Sequence, residues 1–311
     1  MRAMVFPGQG SQSVGMAAEL AAQYPLIQST FAKASEVLGY DLWELVSQGP
    51  SDALNETQRT QPALLTASVA IYRLLQQQGV AAPAYLAGHS LGEYSALVCA
   101  GVIDFEAAVA IVAKRGEFMQ SAVPAGIGGM AAIIGLDDDA VRACCAEAAG
   151  SEVVAAVNYN SPGQVVIAGH AAAVARAGDA CKAAGAKRAL PLPVSVPSHC
   201  ELMRPAAERL EQLLEQTTFH TPTLAVVNNV DVAIETDAGA IKDALIRQLY
   251  SPVRWTETVE FLAEQGVTQF YEIGPGKVLT GLIKRIANDP VVDAINTPAG
   301  VDSLTNSTSS E

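Results

Sequence analysis

The stretch Tyr85-Leu86-Ala87-Gly88-His89-Ser90-Leu91-Gly92-Glu93 constrains this chain more than any other. A short apolar run leads into Gly88-His89-Ser90-Leu91-Gly92, and a helix-like run from Glu93 to Ala100 leads out. A serine with glycine two residues away on either side, between strand and helix, marks a turn so sharp that only glycine fits at both flanks. Such a turn lifts the hydroxyl off the sheet and sets it at a helix N-terminus, where the Leu91 N–H can help to bind an oxyanion. A plain strand-to-helix turn carries the same five residues, so the pattern needs partners before it means chemistry. His89, inside the turn, is expected to point away from the serine and to pack or position rather than act as the base.

The 311 residues are 50% hydrophobic, enough to bury one large domain or two coupled ones. The longest apolar candidate for a membrane span, Ala122 to Leu136, is broken by Pro124 and four glycines, so no span is expected. Met1 to Phe6 leads straight into a strand and lacks the apolar core and cleavage site of a signal peptide. Five cysteines, an odd number without ligand spacing, fit a reduced, cytoplasmic compartment and offer no metal site. The formal net charge of −13 makes nucleic acid an improbable partner.

Ala3–Phe6 reads as a buried strand. The following Pro7-Gly8-Gln9-Gly10-Ser11-Gln12 resembles the start of a dinucleotide fingerprint, but Ser13 stands where the third glycine belongs. The alternative is a glycine-rich turn whose N–H groups face a site, with Gln9 giving a second oxyanion donor. Helical patterns follow at Met16–Gln23, Leu26–Leu38, Leu42–Gln48 and Ala63–Gln77, with Ser51 as an N-cap in the connection. Phe105–Ala122 is a further helix whose apolar stripe, at spacings of three and four, includes Arg115. A guanidinium there is costly unless it meets a carboxylate. A core acid is one such partner and a bound acid another.

From Gly126 the order becomes strand, helix, strand, strand, helix, strand, ending at Leu190, which is the ferredoxin-like order. The expected fold is therefore α/β. A hydrolase-like large domain (residues 1–124 and 196–287) has a central parallel sheet and a serine elbow. A ferredoxin-like βαββαβ subdomain (125–195) is inserted in it. Residues 288–311, rich in Thr, Ser and Asn, read as a disordered tail.

A nucleophilic serine needs a base. Of His89, His170, His199 and His220, only His199 follows a proline-stiffened return (Pro191, Pro193, Pro197) toward the large domain and precedes a helix. It is the expected base. Elbow hydrolases orient that base with Asp or Glu, and no acid is singled out here.

These residues identify a family resemblance. Phe6-Pro7-Gly8-Gln9-Gly10-Ser11-Gln12, Thr60-Gln61-Pro62-Ala63, Gly88-His89-Ser90-Leu91-Gly92-Glu93, Arg115-Gly116, Asn158-Tyr159-Asn160-Ser161-Pro162-Gly163-Gln164, Pro197-Ser198-His199 and Glu272-Ile273-Gly274-Pro275-Gly276 occur in this order. Together they resemble the malonyl-CoA:acyl carrier protein transacylases of bacterial type II fatty acid synthesis. The resemblance implies a ping-pong transfer. Ser90 would attack malonyl-CoA, and the resulting malonyl-serine would be discharged to the phosphopantetheine thiol of acyl carrier protein. It implies His199 as base, a carbonyl near Gln248 as its acceptor, and Gln9 and Leu91 as the oxyanion hole. It further implies Arg115 as clamp for the malonyl carboxylate, with Gln61, Asn160 and Ser198 in the substrate site. No bound cofactor or metal is implied.

Acyl carrier protein is acidic, as is this chain, so docking would require a local basic patch. Two clusters qualify: Lys182, Lys187 and Arg188, and Lys277, Lys284 and Arg285. Ordinary solvated charges would look the same. Two other classes share parts of the pattern. A thioesterase has the elbow without needing a buried arginine, and a carrier-binding module has no need of Ser90, Arg115 and His199 together.

Overall fold

The structure, a computed structural model, describes residues 1–194 and 196–308. The chain opens with β1 (Arg2–Phe6) and helices α1 (Ala18–Gln23), α2 (Pro25–Leu38), α3 (Leu42–Gln48), α4 (Ser51–Leu54) and α5 (Thr57–Gln77). The elbow region follows as β2 (Tyr85–Gly88), α6 (Leu91–Cys99) and α7 (Phe105–Ala122). Next come β3 (Gly128–Ile134), α8 (Asp138–Ala149), β4 (Val154–Ser161), β5 (Gln164–His170), α9 (Ala171–Ala183) and β6 (Arg188–Pro191). The chain closes with α10 (Arg204–Glu215), β7 (Ala225–Val227), α11 (Ala238–Gln248), α12 (Trp255–Glu264), β8 (Gln269–Ile273), α13 (Val278–Ile286), β9 (Val291–Ile295) and α14 (Pro298–Thr308).

Two sheets result. The larger runs β7-β2-β1-β8-β9 with every pair parallel. Because successive side chains face opposite sides of a strand, β1 serves two cores. Met4 and Phe6 enter the cluster built on α2, α5, α6 and α7, whereas Ala3 and Val5 enter the one containing Trp255, Phe270 and Leu279. Helices thus cover both faces, which is why the strand reads as an unbroken apolar run. The smaller sheet, β4-β5-β3-β6, is antiparallel throughout, the order of a ferredoxin-like unit. Val253, between α11 and α12, ties the two sheets together. Its N–H donates to the Val157 carbonyl at 2.8 Å, and its carbonyl accepts from the Tyr159 N–H at 3.0 Å.

Three expectations are corrected. Residues 288–308 are not a disordered tail: β9 pairs in parallel with β8 from Gln269↔Val291 to Ile273↔Ile295. Val292, Ile295, Val301 and Leu304 are all buried. The short apolar run in Val291–Ile295, paired along β8, outweighs the polar composition around it. Residues 309–311 lie outside the described residues. Helix α5 begins at Thr57, six residues before the expected start, and carries Pro62 inside it. Packing wins there, for Thr57, Thr60, Gln61 and Pro62 are buried. Ser51 opens α4 and does not cap it; Pro50 holds the N-cap position.

Candidate active site

The elbow is built as its glycines require. A Cβ added at Gly88 would stand 1.9 Å from the Gly92 carbonyl carbon, and one at Gly92 would stand 2.0 Å from the Phe6 carbonyl oxygen. Any side chain at either position would push β2, α6 and β1 apart. Between them Ser90 sits at φ 52°, a left-handed backbone that L-residues adopt at a cost. Its N–H donates to Asn229 Oδ1 at 2.8 Å, and Asn229 Nδ2 donates to the Gly88 carbonyl at 2.7 Å, so Asn229 holds both sides of the turn.

His199, from the segment returning to the larger sheet, meets the serine. Its Nε2 lies 2.8 Å from Ser90 Oγ, and its Nδ1 lies 2.7 Å from the Gln248 carbonyl oxygen. A carbonyl only accepts, so Nδ1 carries the proton and Nε2 is left free to accept from the hydroxyl. His199 also has φ 64°, and its N–H is held by the Leu249 carbonyl at 3.0 Å. Burial, and then the positive charge of Arg115, push the imidazole down from its ordinary 6.5 to about 3, so it is neutral at pH 7.

Arg115 arrives from α7. Gly116 lets α7 lie against α5, since a Cβ there would stand 2.5 Å from the Gln58 Cα. Arg115 is 1% exposed, yet among the described residues no carboxylate hydrogen-bonds it. Nη1 donates to Gln61 Oε1 at 2.7 Å, and Nη2 donates to Gln248 Oε1 at 2.9 Å and to Ser90 Oγ at 3.3 Å. Its Cζ lies 5.4 Å from the Tyr94 ring centroid, and its Nε has no hydrogen-bond partner among the described residues. A buried cation held only by neutral groups is prepared for an acid from outside the chain.

These groups open on a cavity of about 220 Å³ lined by Gln9, Leu91, Asn158, Leu192 and Ser198 along with Ser90, Arg115 and His199. Gln61 and Asn160, expected as substrate contacts, are not among the residues that line it. Gln61 is 1% exposed and holds Arg115 and, at 3.0 Å, Thr57. Asn160 Oδ1 lies 2.8 Å from His89 Nε2, and so holds the His89 ring. Lys187, Arg188, Lys284 and Arg285 are exposed and away from this cavity. Among the described residues no group of His, Cys, Asp and Glu is placed to hold a metal ion, and no helix is long and apolar enough to cross a membrane.

Sequence reasoning gave no role to Asn229 or Glu93. The carboxylate of Glu93, 2% exposed, accepts from Gln248 Nε2 at 2.8 Å and from the Asn229 N–H at 2.9 Å. Burial pushes its carboxyl up to about 7 against the pull of those two donors. The available signal was an acid on a helix, α6, that is otherwise uncharged.

Ser90, a tautomer-fixed His199 and a buried Arg115 thus line one cavity together with Gln9 and Leu91. The acyl transferase domain family matches residues 3–299. The chain is 67% identical to the malonyl CoA-acyl carrier protein transacylase of Salmonella typhimurium, over 96% of this chain and 97% of that one. The chain belongs to the acyl transferase family of malonyl CoA-acyl carrier protein transacylases. Among solved structures, this acyl transferase resembles an acyl carrier protein S-malonyltransferase from Vibrio cholerae (64% identity, TM-score 0.96, 97% of this chain and 99% of that one). It also resembles a malonyl-transacylase solved in complex with a type II PKS acyl-carrier protein (62% identity, TM-score 0.98, 98% and 99% covered).

Proposed function

We propose that this chain moves a malonyl group from malonyl-CoA to the phosphopantetheine thiol of acyl carrier protein by way of a malonyl ester on Ser90. The observation that carries the reading is Arg115, a buried cation without a carboxylate partner, 3.3 Å from the hydroxyl hydrogen-bonded to His199. The malonyl carboxylate completes the guanidinium's contacts and sets the thioester carbon over Ser90 Oγ.

As Oγ attacks, its proton passes to His199 Nε2, and the Gln248 carbonyl steadies the imidazolium through Nδ1. The Gln9 and Leu91 N–H groups receive the charge on the thioester oxygen. Leu91 suits this role because it opens α6, where the first N–H groups have no intrahelical acceptor. Collapse breaks the C–S bond, and the coenzyme A thiolate takes the proton from Nε2. The second half runs in reverse: His199 takes the proton of the carrier's thiol, the sulfur attacks the ester, and Ser90 recovers its proton. Every proton and electron pair is accounted for by these groups, so the reaction calls on no further cofactor. The setting that fits is the cytoplasm, where both substrates occur.

We also read 125–195 as a subdomain inserted into the larger one, and assign carrier docking to Lys187, Arg188, Lys284 and Arg285. Two contacts support a single patch. Ile134 of β3 pairs with Gln164 on one side and Arg188 on the other, and Arg285 Nη1 donates to Gln164 Oε1 at 2.8 Å. Lys182 is already paired with Asp179 at 2.9 Å.

The test is the fate of the acyl-enzyme. Loaded with malonyl-CoA and freed of excess, it should persist in water and discharge on adding holo acyl carrier protein. Rapid discharge to water alone would make the chain a thioesterase.

A further inference from the structure

Glu93 has no part in the steps above, yet it sits behind all of them. It is a carboxylate inside an apolar helix face, and its two protein partners each touch the site. Asn229 takes the Ser90 N–H, and Gln248 supplies the His199 acceptor from its backbone and an Arg115 acceptor from its side chain.

The Gln248 side chain is the informative one. An amide has a donor end and an acceptor end of nearly equal shape, and its neighbours decide which way round it sits. On one side stands the Glu93 carboxylate, which when ionised only accepts; on the other stands the Arg115 guanidinium, which only donates. With Nε2 on Glu93 Oε2 at 2.8 Å, and also 3.2 Å from the Ser90 carbonyl, Oε1 is turned to Arg115 Nη2 at 2.9 Å. Glu93 is thus the acid that the Arg115 charge faces, but at one amide's remove. That leaves the guanidinium without a direct carboxylate contact and open to the substrate's own.

We propose that Glu93 is a positioning residue for the acyl-carboxylate clamp, acting through Gln248 to keep an acceptor on Arg115. Both donors converge on one oxygen, Glu93 Oε2. Glu93→Gln can set its own Oε1 in that place and keep both bonds, so it preserves the arrangement. Glu93→Leu removes the acceptor: Gln248 Nε2 keeps only the Ser90 carbonyl at 3.2 Å and Asn229 Oδ1 at 3.4 Å, and Oε1 is no longer held against Arg115. The Ser90 N–H keeps Asn229 Oδ1 and His199 keeps the Gln248 carbonyl, so the loss falls on acidic acyl groups.

The inference rests on the malonyl-transfer reading, so the unaltered chain is run beside Glu93→Leu and Glu93→Gln, each with malonyl-CoA and acetyl-CoA. For Glu93→Leu the expected result is a KM for malonyl-CoA raised about 10- to 100-fold, the worth of one charge-assisted hydrogen bond, with kcat little changed. Loading from acetyl-CoA should stay within about threefold, and Glu93→Gln, which keeps the accepting oxygen, should stay near the unaltered chain for both. Equal losses for both acyl groups would show a merely structural role and overturn the proposal, as would no malonyl effect in Glu93→Leu or a Glu93→Gln as impaired as Glu93→Leu. If Glu93→Leu does not accumulate folded, Glu93→Asp, which keeps the acid but withdraws it by one methylene, should show the same malonyl-selective loss at smaller size. Equal loss or none would again overturn it. An unaltered chain that does not load malonyl would remove the function reading itself, whereas normal loading there with an indifferent Glu93→Leu removes only this inference.

Discussion

The guanidinium Nη2 of Arg115 lies 3.3 Å from the hydroxyl oxygen of Ser90, although Ser90 stands in the turn before α6 and Arg115 lies within α7. A clamp so close to the nucleophile suits an acyl group whose acid is one methylene from its reacting carbon. Arg115→Ala should therefore lose malonyl transfer selectively. Removing one partner of a buried charge pair costs about 2–5 kcal/mol, or roughly 30-fold to several thousand-fold in kcat/KM. Acetyl transfer should survive or rise. Steady-state rates with the two thioesters decide it, and equal loss for both would mean that Arg115 only supports the fold.

The pH dependence follows from His199. Its imidazole must be neutral to accept the serine proton, and burial with the Arg115 charge holds its pKa down to about 3. A base with a lowered pKa stays competent further into acid. Loading from acetyl-CoA, whose neutral acyl group does not engage Arg115, should hold its kcat/KM down to about pH 5, well below the 6.5 of an ordinary histidine. With malonyl bound, its carboxylate offsets Arg115, so the limb seen in kcat should lie at higher pH than that in kcat/KM. An acid limb in acetyl kcat/KM at 6.5 or above would contradict the assignment.

The C-terminal segment belongs to the fold. A chain ending at Ala287 would lose β9 and α14 and bare the edge of β8. Burial of Val292, Ile295, Val301 and Leu304 is worth about 1.5–3 kcal/mol each, comparable in sum to the net stability of a whole domain. Such a truncation should be insoluble or melt far below the full chain. Melting within a few degrees of it would contradict the role given to these elements.

How much of this was legible in the sequence varied with how local the cause was. The elbow was readable because its glycines answer to sterics within five residues. Helix α7 matched its expected bounds, Phe105–Ala122, because its apolar periodicity is strong. Arg115 stood out as a charge on an apolar stripe. Asn229 and Glu93 did not, because their roles exist only once β7 and α11 are folded against α6, 136 residues apart for the Glu93–Asn229 bond. Motif order could not tell that Gln61 and Asn160 hydrogen-bond Arg115 and His89, because a side chain that lines a cavity and one that steadies its neighbour share the same motif. β9 was hidden because its short apolar run is interrupted by Asp293 and set among Asn, Asp, Pro and Thr.

Carrier docking is tested by reversing charge. Glu at positions 187, 188, 284 and 285 in place of Lys187, Arg188, Lys284 and Arg285 should raise the KM for holo acyl carrier protein about tenfold or more at low salt, and less at high salt. Formation of the acyl-enzyme from malonyl-CoA should be nearly unchanged. Unaltered carrier kinetics at low salt would remove the patch.

The most direct test of the whole account is to load the protein with labelled malonyl-CoA, stop the reaction, and map the label on peptides. The account predicts one malonyl group per chain, on Ser90, chased off by holo acyl carrier protein and absent from Ser90→Ala. Label on Cys200 or any other residue, or normal loading of Ser90→Ala, would contradict it.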